Sequence, residues 1–217
     1  MNTRDFIAQH KVIVICRKVY AENLKKLAGA LFKGGIRLIE VTFDQQDPDC
    51  LTKSCAALRL LAGLHGDGML IGAGTVLNAR QVEAACDAGA KYIVSPDFNP
   101  SVVKRTKELG LVSIPGAMTP TEILAAHDCG ADFVKLFPAT TLGFKYIKDI
   151  LAPISHVKLV ATGGVSEENF AQYLELGFAG AGISGRLTDK KLIESGDLDE
   201  LTRRAEVFVK IARGEAQ

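Results

Sequence analysis

The sequence has no surplus of either charge: 26 Lys and Arg against 25 Asp and Glu leave a formal +1 over 217 residues. That balance argues against a dedicated surface for nucleic acid or an anionic membrane, and no nucleic-acid partner is expected. Long apolar runs are missing too. None approaches the roughly 18 residues of a membrane span, and the polar start Met1-Asn2-Thr3-Arg4-Asp5 lacks the charged-then-apolar layout of a secretory leader. No membrane association is expected, and a cytoplasmic location is. The five cysteines, Cys16, Cys50, Cys55, Cys86 and Cys129, are odd in number and never form C-x-x-C, which disfavours disulfide and zinc frameworks. His10, His65, His127 and His156 show no i,i+4 pairing beside a carboxylate, so no metal is assigned. Proline is scarce, at 7 against 21 Gly, while 47% hydrophobic and 24% charged residues are ordinary globular values. At this length one domain over 1–217 is expected, burying roughly 70% of its unfolded surface.

Short β-branched or apolar runs recur at 12–16, 36–43, 69–75, 92–95, 111–114, 132–137, 157–162 and 179–184, each too short for a typical helix. Between them, stretches such as 23–31, 51–61, 81–88 and 169–176 return their apolar residues at helical intervals. Gly89, Gly110, Gly130 and Gly177 sit where each helix would end, as a left-handed residue after the last turn requires. Thr119-Pro120-Thr121-Glu122 supplies a helix start, and Asn78 and Ser166 are candidate caps for their own helices. Eight parallel strands alternating with helices predict a (β/α)8 TIM barrel, with a doubly wound open sheet as the alternative. The segment before Val12 reads as a short helix across the barrel bottom, and the tail after Leu198 as the last helix.

Parallel strands are covered on both faces, so a charge inside one needs a reason. In Ile39-Glu40-Val41-Thr42, alternation turns Glu40 and Thr42 toward the barrel interior near its C-terminal mouth. Lys135 is flanked by apolar residues and shares its face with Phe133 and Phe137, where burial disfavours the ammonium form. One reading is an amine nucleophile for a carbonyl substrate with a carboxylate nearby to move protons. The other is a buried structural ion pair, or a lysine that snorkels to the rim.

Thr162-Gly163-Gly164-Val165-Ser166 follows the seventh strand and opens a helix, and Gly182-Ile183-Ser184-Gly185 ends the eighth. These are the two loops that commonly bind phosphate in such barrels. Arg17 after the first strand suits a substrate carboxylate, with a solvent-facing arginine as the plainer reading. Gly72 and Gly74 relieve crowding inside a small barrel or serve the site, and Thr75, Pro96 and Gly116 stand at further strand ends.

Seven motifs in order, Ile39-Glu40-Val41-Thr42, Gly72-Ala73-Gly74-Thr75-Val76, Ile93-Val94-Ser95-Pro96, Pro115-Gly116, Thr119-Pro120-Thr121-Glu122, Val134-Lys135-Leu136-Phe137-Pro138-Ala139 and Thr162-Gly163-Gly164-Val165, span nearly the whole chain. They resemble the bacterial class I 2-keto-3-deoxy-6-phosphogluconate (KDPG) aldolase family, which includes 4-hydroxy-2-oxoglutarate (KHG) aldolases. The resemblance implies a homotrimeric TIM barrel that cleaves a phosphorylated keto acid to pyruvate and glyceraldehyde 3-phosphate, with neither metal nor organic cofactor. It makes Lys135 the Schiff-base lysine, Glu40 the general acid/base and Arg17 a carboxylate partner. Thr75 and Pro96 become pocket walls, and Gly163, Gly164 and Ser184 the phosphate loop, with Thr162 and Gly182 beside them. The chain departs from the family where Phe43-Asp44-Gln45 replaces a common arginine, where Asp97 follows Ser95-Pro96, and where Gly185-Arg186 follow Ser184. The galactonate epimer and unphosphorylated KHG stay open as substrates, and a phosphate-binding isomerase, synthase or regulatory barrel remains the rival to an aldolase.

Overall fold

The computed structural model describes residues 1–64 and 66–215; His65 lies outside the described residues. Each of the eight apolar runs forms a strand: β1 (Val12–Cys16), β2 (Leu38–Thr42), β3 (Leu70–Gly74), β4 (Tyr92–Val94), a fifth stave in two pieces, β7 (Val134–Leu136), β8 (Leu159–Thr162) and β9 (Gly180–Ile183). The fifth stave divides into β5 (Val112–Ile114) and β6 (Gly116–Ala117) at Pro115, which has no N–H to give a ladder. All pairings are parallel, in the order β5-β4-β3-β2-β1-β9-β8-β7-β6. The two ends of that order are joined by Pro115, so the sheet closes on itself as a TIM barrel and the open-sheet alternative falls.

The alternation of each strand divides the apolar residues between two layers. Ile39, Val41, Ile71, Ala73, Val134 and Leu136 pack outward under the helices. Ile13, Leu38, Tyr92, Val112, Phe133 and Val160 fill the interior toward the bottom. Helix α1 (Thr3–His10) contributes Ile7, 1% exposed, to that interior group and so stops the N-terminal end of the barrel. The last helix, α10 (Leu198–Arg213), packs on α2 (Ala21–Lys33) and α8 (Phe170–Glu175).

Local signals behave as their chemistry dictates, with one exception. Gly89, Gly110, Gly130 and Gly177 all have positive φ. Asn78 accepts from the Gln81 amide to start α4 (Ala79–Asp87), and Thr119 and Glu122 form a reciprocal capping box on α6 (Pro120–Asp128). Ser166 is not a cap. A turn intervenes, α8 starts only at Phe170, and Asn169 reaches back so that its Oδ1 accepts from the Ser166 amide at 2.9 Å. Asparagine competes well for nearby backbone donors, and its side chain, turned back to Ser166, makes no capping bond to α8.

Candidate active site

A cavity of about 600 Å³ opens at the C-terminal mouth of the barrel. Its lining includes ten residues singled out in the sequence, Arg17, Glu40, Thr75, Pro96, Lys135, Thr162, Gly163, Gly164, Gly182 and Ser184, but not Gly72, Gly74 or Gly116. Ile15, Phe137, Val165, Ser166, Gly185 and Arg186 also line it. Ile15 and Phe137 continue the inward alternation that placed Arg17 and Lys135, so the period-two pattern contained them.

Glu40 and Lys135 stand on opposed staves. From β2, β7 is reached through β1, β9 and β8 one way and through β3, β4 and the broken fifth stave the other. Both side chains are buried, at 2% and 8% exposure, yet they form no salt bridge; the ion pairs of the described residues lie at the mouth and periphery, as Lys18–Asp44 and Arg186–Glu167 do. The cavity lies between them. Burial is the main cause that pushes the Lys135 amine below the usual lysine range, with Glu40 opposing and Arg17 assisting. Burial likewise raises the Glu40 carboxyl, against the pull of Lys135 and Arg17. Each shift favours the neutral form, which for the amine is the nucleophile and for the acid is the proton donor. The Lys135 Nζ lies over the Phe137 ring, 4.8 Å from its centroid, a contact that orients the amine toward the cavity. Cys16, the thiol nearest this machinery in sequence, is pushed up to about 12 by burial and by Glu40, and is no competing nucleophile.

Two glycines make room for this arrangement. A Cβ on Gly74 would collide with the Glu40 carboxylate, and one on Gly72 would collide with the Tyr92 ring. Tyr92, fully buried, passes over Gly72 to donate its hydroxyl to the Ile39 carbonyl at 2.7 Å, bracing the backbone just before Glu40.

Arg17 is exposed at the rim. Its neighbour Lys18 takes Asp44 in an ion pair at 2.9 Å, which holds that carboxyl below its usual range and leaves the Arg17 guanidinium facing the cavity. Across the mouth, Gly163 and Gly164 have φ of 95° and 78°, and a Cβ on Gly164 would meet the Thr140 hydroxyl. That hydroxyl donates to the Gly163 carbonyl at 3.0 Å and Asn169 Nδ2 to the Gly164 carbonyl at 3.1 Å. With their carbonyls held from behind, the Gly164 and Val165 amides have no acceptor among the described residues. Because α8 begins later than its sequence signal, this concave turn of amides, more than a helix end, is what can receive an anion. Arg186 faces the same turn and is gripped by both oxygens of Glu167, with contacts from 2.9 to 3.2 Å.

Known proteins resemble this chain in sequence and fold. The family model for KDPG and KHG aldolases matches residues 4–204. A probable 2-dehydro-3-deoxy-6-phosphogalactonate aldolase of Rhizobium meliloti is 36% identical over 191 residues, 88% of this chain and 87% of the relative. The 2-dehydro-3-deoxy-phosphogluconate aldolase of Haemophilus influenzae is 33% identical over 204 residues, 94% and 93% of the two chains. Among solved structures, the KDPG aldolase of Legionella pneumophila, with pyruvate captured as a covalent carbinolamine, superposes with a TM-score of 0.84 at 28% identity, covering 96% of this chain and 98% of that one. With the profile spanning most of the chain and relatives above 30% identity along nearly its whole length, this chain belongs to the KDPG and KHG aldolase family.

Proposed function

We propose that the chain is a Schiff-base aldolase that cleaves KDPG to pyruvate and glyceraldehyde 3-phosphate, and also 4-hydroxy-2-oxoglutarate to pyruvate and glyoxylate. The observation that carries this is the pairing of two buried, oppositely placed groups, Lys135 and Glu40, with an open cavity and no ion pair between them. An ion pair serving structure alone would close that distance, because each charge left unpaired in the interior is costly.

The neutral Lys135 amine attacks the C2 keto carbon to form a carbinolamine; the Glu40 carboxyl gives its proton to the departing hydroxyl, and loss of water leaves the protonated imine and Glu40 as carboxylate. Glu40, as carboxylate, takes the proton of the C4 hydroxyl. The C3–C4 bond breaks, its electron pair passes into the imine as an enamine of pyruvate, and the aldehyde leaves. The same carboxyl returns the proton to C3, and water then releases pyruvate from the lysine. Arg17 binds the carboxylate of the keto acid through its guanidinium fork, and the Gly163-Gly164 turn with Ser184 binds the phosphate at the far end. Thr75, Pro96, Thr162 and Gly182 shape the cavity between them. The reading includes a homotrimer, which light scattering of the eluted protein tests.

A galactonate epimer is the second substrate reading, favoured by the name of the Rhizobium relative. Side-by-side turnover of the two phosphorylated epimers decides between them. The aldolase proposal itself is tested by incubating the protein with pyruvate and borohydride and weighing the intact chain. A reduced pyruvate adduct is expected on the parent and none on Lys135→Ala; an adduct that survives that substitution unchanged removes Lys135 from its role.

A further inference from the structure

Thr75 ends the third stave in a conformation its side chain disfavours. Its φ is 55°, in the left-handed region where a β-branched residue is a true outlier, and it lines the cavity. Something must hold it there, and two bonds act on the peptide that follows. Its N–H, from Val76, donates to the Val94 carbonyl at 3.2 Å. Its carbonyl, that of Thr75, accepts from Gln45 Nε2 at 2.7 Å. Gln45 stands in the loop after β2, the stave of Glu40, and its Oε1 accepts from Gln81 Nε2 at 3.0 Å. Gln81, buried at 6% exposure in the first turn of α4, completes the chain by accepting the Leu77 amide on Oε1 at 2.8 Å.

The polarity of this chain is fixed from both ends. The Leu77 N–H can only donate, so Gln81 must turn its oxygen to it and its NH2 to Gln45. The Thr75 carbonyl can only accept, so Gln45 must turn its NH2 toward it. Each amide has one orientation that satisfies both neighbours, and a carboxylate at position 45 could satisfy Gln81 but not Thr75.

We propose that Gln45, backed by Gln81, is a positioning residue that holds Thr75 in its left-handed conformation and thereby keeps the Thr75 side chain in the reacting cavity. The inference rests on the aldolase reading and adds a specificity-bearing contact between the loops of the second and third staves. It also accounts for the Phe43-Asp44-Gln45 departure, since this loop supplies no arginine to the substrate and instead fixes the wall beside Glu40. Because Gln45 is itself exposed, its replacement should leave the stability of the barrel almost unchanged.

The test compares the parent with Gln45→Glu, Thr75→Ala and the double variant, measuring KDPG cleavage, pyruvate trapping by borohydride, urea midpoints and the crystal structure of Gln45→Glu. Gln45→Glu is expected to lower kcat/KM by about tenfold or more, as a displaced positioning group does. Its urea midpoint should stay put, Thr75 should relax to negative φ, and the substitution should add nothing in the Thr75→Ala background. Rescue by Gln45→Asn with a bridging water at the same carbonyl would strengthen the assignment. A Gln45→Glu protein with parental kcat/KM, or with Thr75 still at positive φ, overturns the relay while leaving the aldolase reading intact. So do losses that simply multiply in the double variant. A parent that traps no pyruvate overturns the aldolase reading, and the relay with it.

Discussion

The sharpest stability and activity contrast in this barrel lies between two neighbouring glycines on one strand. Gly74→Ala places a methyl group where the Glu40 carboxylate sits, overlapping its Oε1, Cδ and Cγ. Glu40 is enclosed everywhere except toward the cavity, so the carboxylate must swing into the substrate space. Gly72→Ala places the same methyl in the ring of Tyr92, which has no cavity to yield into and is tied by its hydroxyl to Ile39. Overpacking of this kind costs about 1–3 kcal/mol. In a chain of this size each kcal/mol lowers Tm by roughly 2–4 °C. Gly74→Ala should fall at the small end of that range, because its carboxylate can move, and Gly72→Ala at the large end. Activity should be ordered the other way. A displacement of about 1 Å at the proton-transferring group costs on the order of 10²-fold in kcat, so Gly74→Ala is expected to lose that much while still trapping pyruvate on Lys135. Gly72→Ala, assayed well below its Tm, should retain most of its turnover. Scanning calorimetry and a coupled assay for pyruvate release provide the two readouts. If Gly74→Ala turns over as the parent does, Glu40 is not the group whose position limits the reaction, and the proton-transfer assignment is wrong.

Glu40→Gln should lower turnover by roughly 10²–10⁴-fold with imine trapping retained. It also tests the sign of the burial effect. A folded-state carboxyl raised above its unfolded value of about 4.3 holds its proton longer in the native state, so its stabilisation is present at low pH and lost as pH rises through the folded value. Urea midpoints taken from pH 4 to 7 should therefore show the parent losing stability relative to Glu40→Gln; a relative gain would mean that Glu40 is held as a paired carboxylate. At the two ends of the substrate, Arg17→Lys should weaken pyruvate trapping, since an ammonium cannot reproduce the guanidinium fork. Gly163→Val, a branched residue forced to a φ of 95° against Pro138, should raise KM for the phosphorylated substrate and spare cleavage of 4-hydroxy-2-oxoglutarate. Equal impairment of both substrates by both variants would reverse the assumed orientation.

Much of this architecture is legible in the chain because barrel strands carry their function in a simple period. A glutamate or lysine at an inward position two residues from an apolar neighbour is visible as a breach of pattern, and that alone locates Glu40 and Lys135. The same period extended by one step contains Ile15 and Phe137, which give no signal because apolar residues at inward positions break no rule. Other features are hidden for physical reasons. The division of the fifth stave at Pro115 depends on which carbonyl the next amide finds, and Gly116 finds that of Asp97, outside the regular ladder. Ser166 and Asn169 are both of cap-forming type, yet the turn between them leaves neither side chain capping α8. The bond from Gln45 to Thr75 joins loops far apart in sequence, and an exposed glutamine carries no pattern at all. Arg186 is visible as an unusual residue but not as a wall of the cavity, because its place depends on the bidentate grip of Glu167.

The opposition of Glu40 and Lys135 across the ring has a consequence for folding itself. The shortest arc that contains both groups runs through five staves, β2, β1, β9, β8 and β7, so a chain that has paired fewer than these has no site to offer. In the proposed binding mode, a keto acid held at one end by Arg17, joined to Lys135 and gripped at the other end by the turn after β8 acts as a spoke between separate walls. Any ligand confined to the closed ring stabilises it by RT ln(1 + [L]/Kd), about 2.7 kcal/mol at a hundredfold excess over Kd. On that reading the substrate is a brace against the opening of the barrel, and the protein is at its most fragile between turnovers, when the ring stands empty.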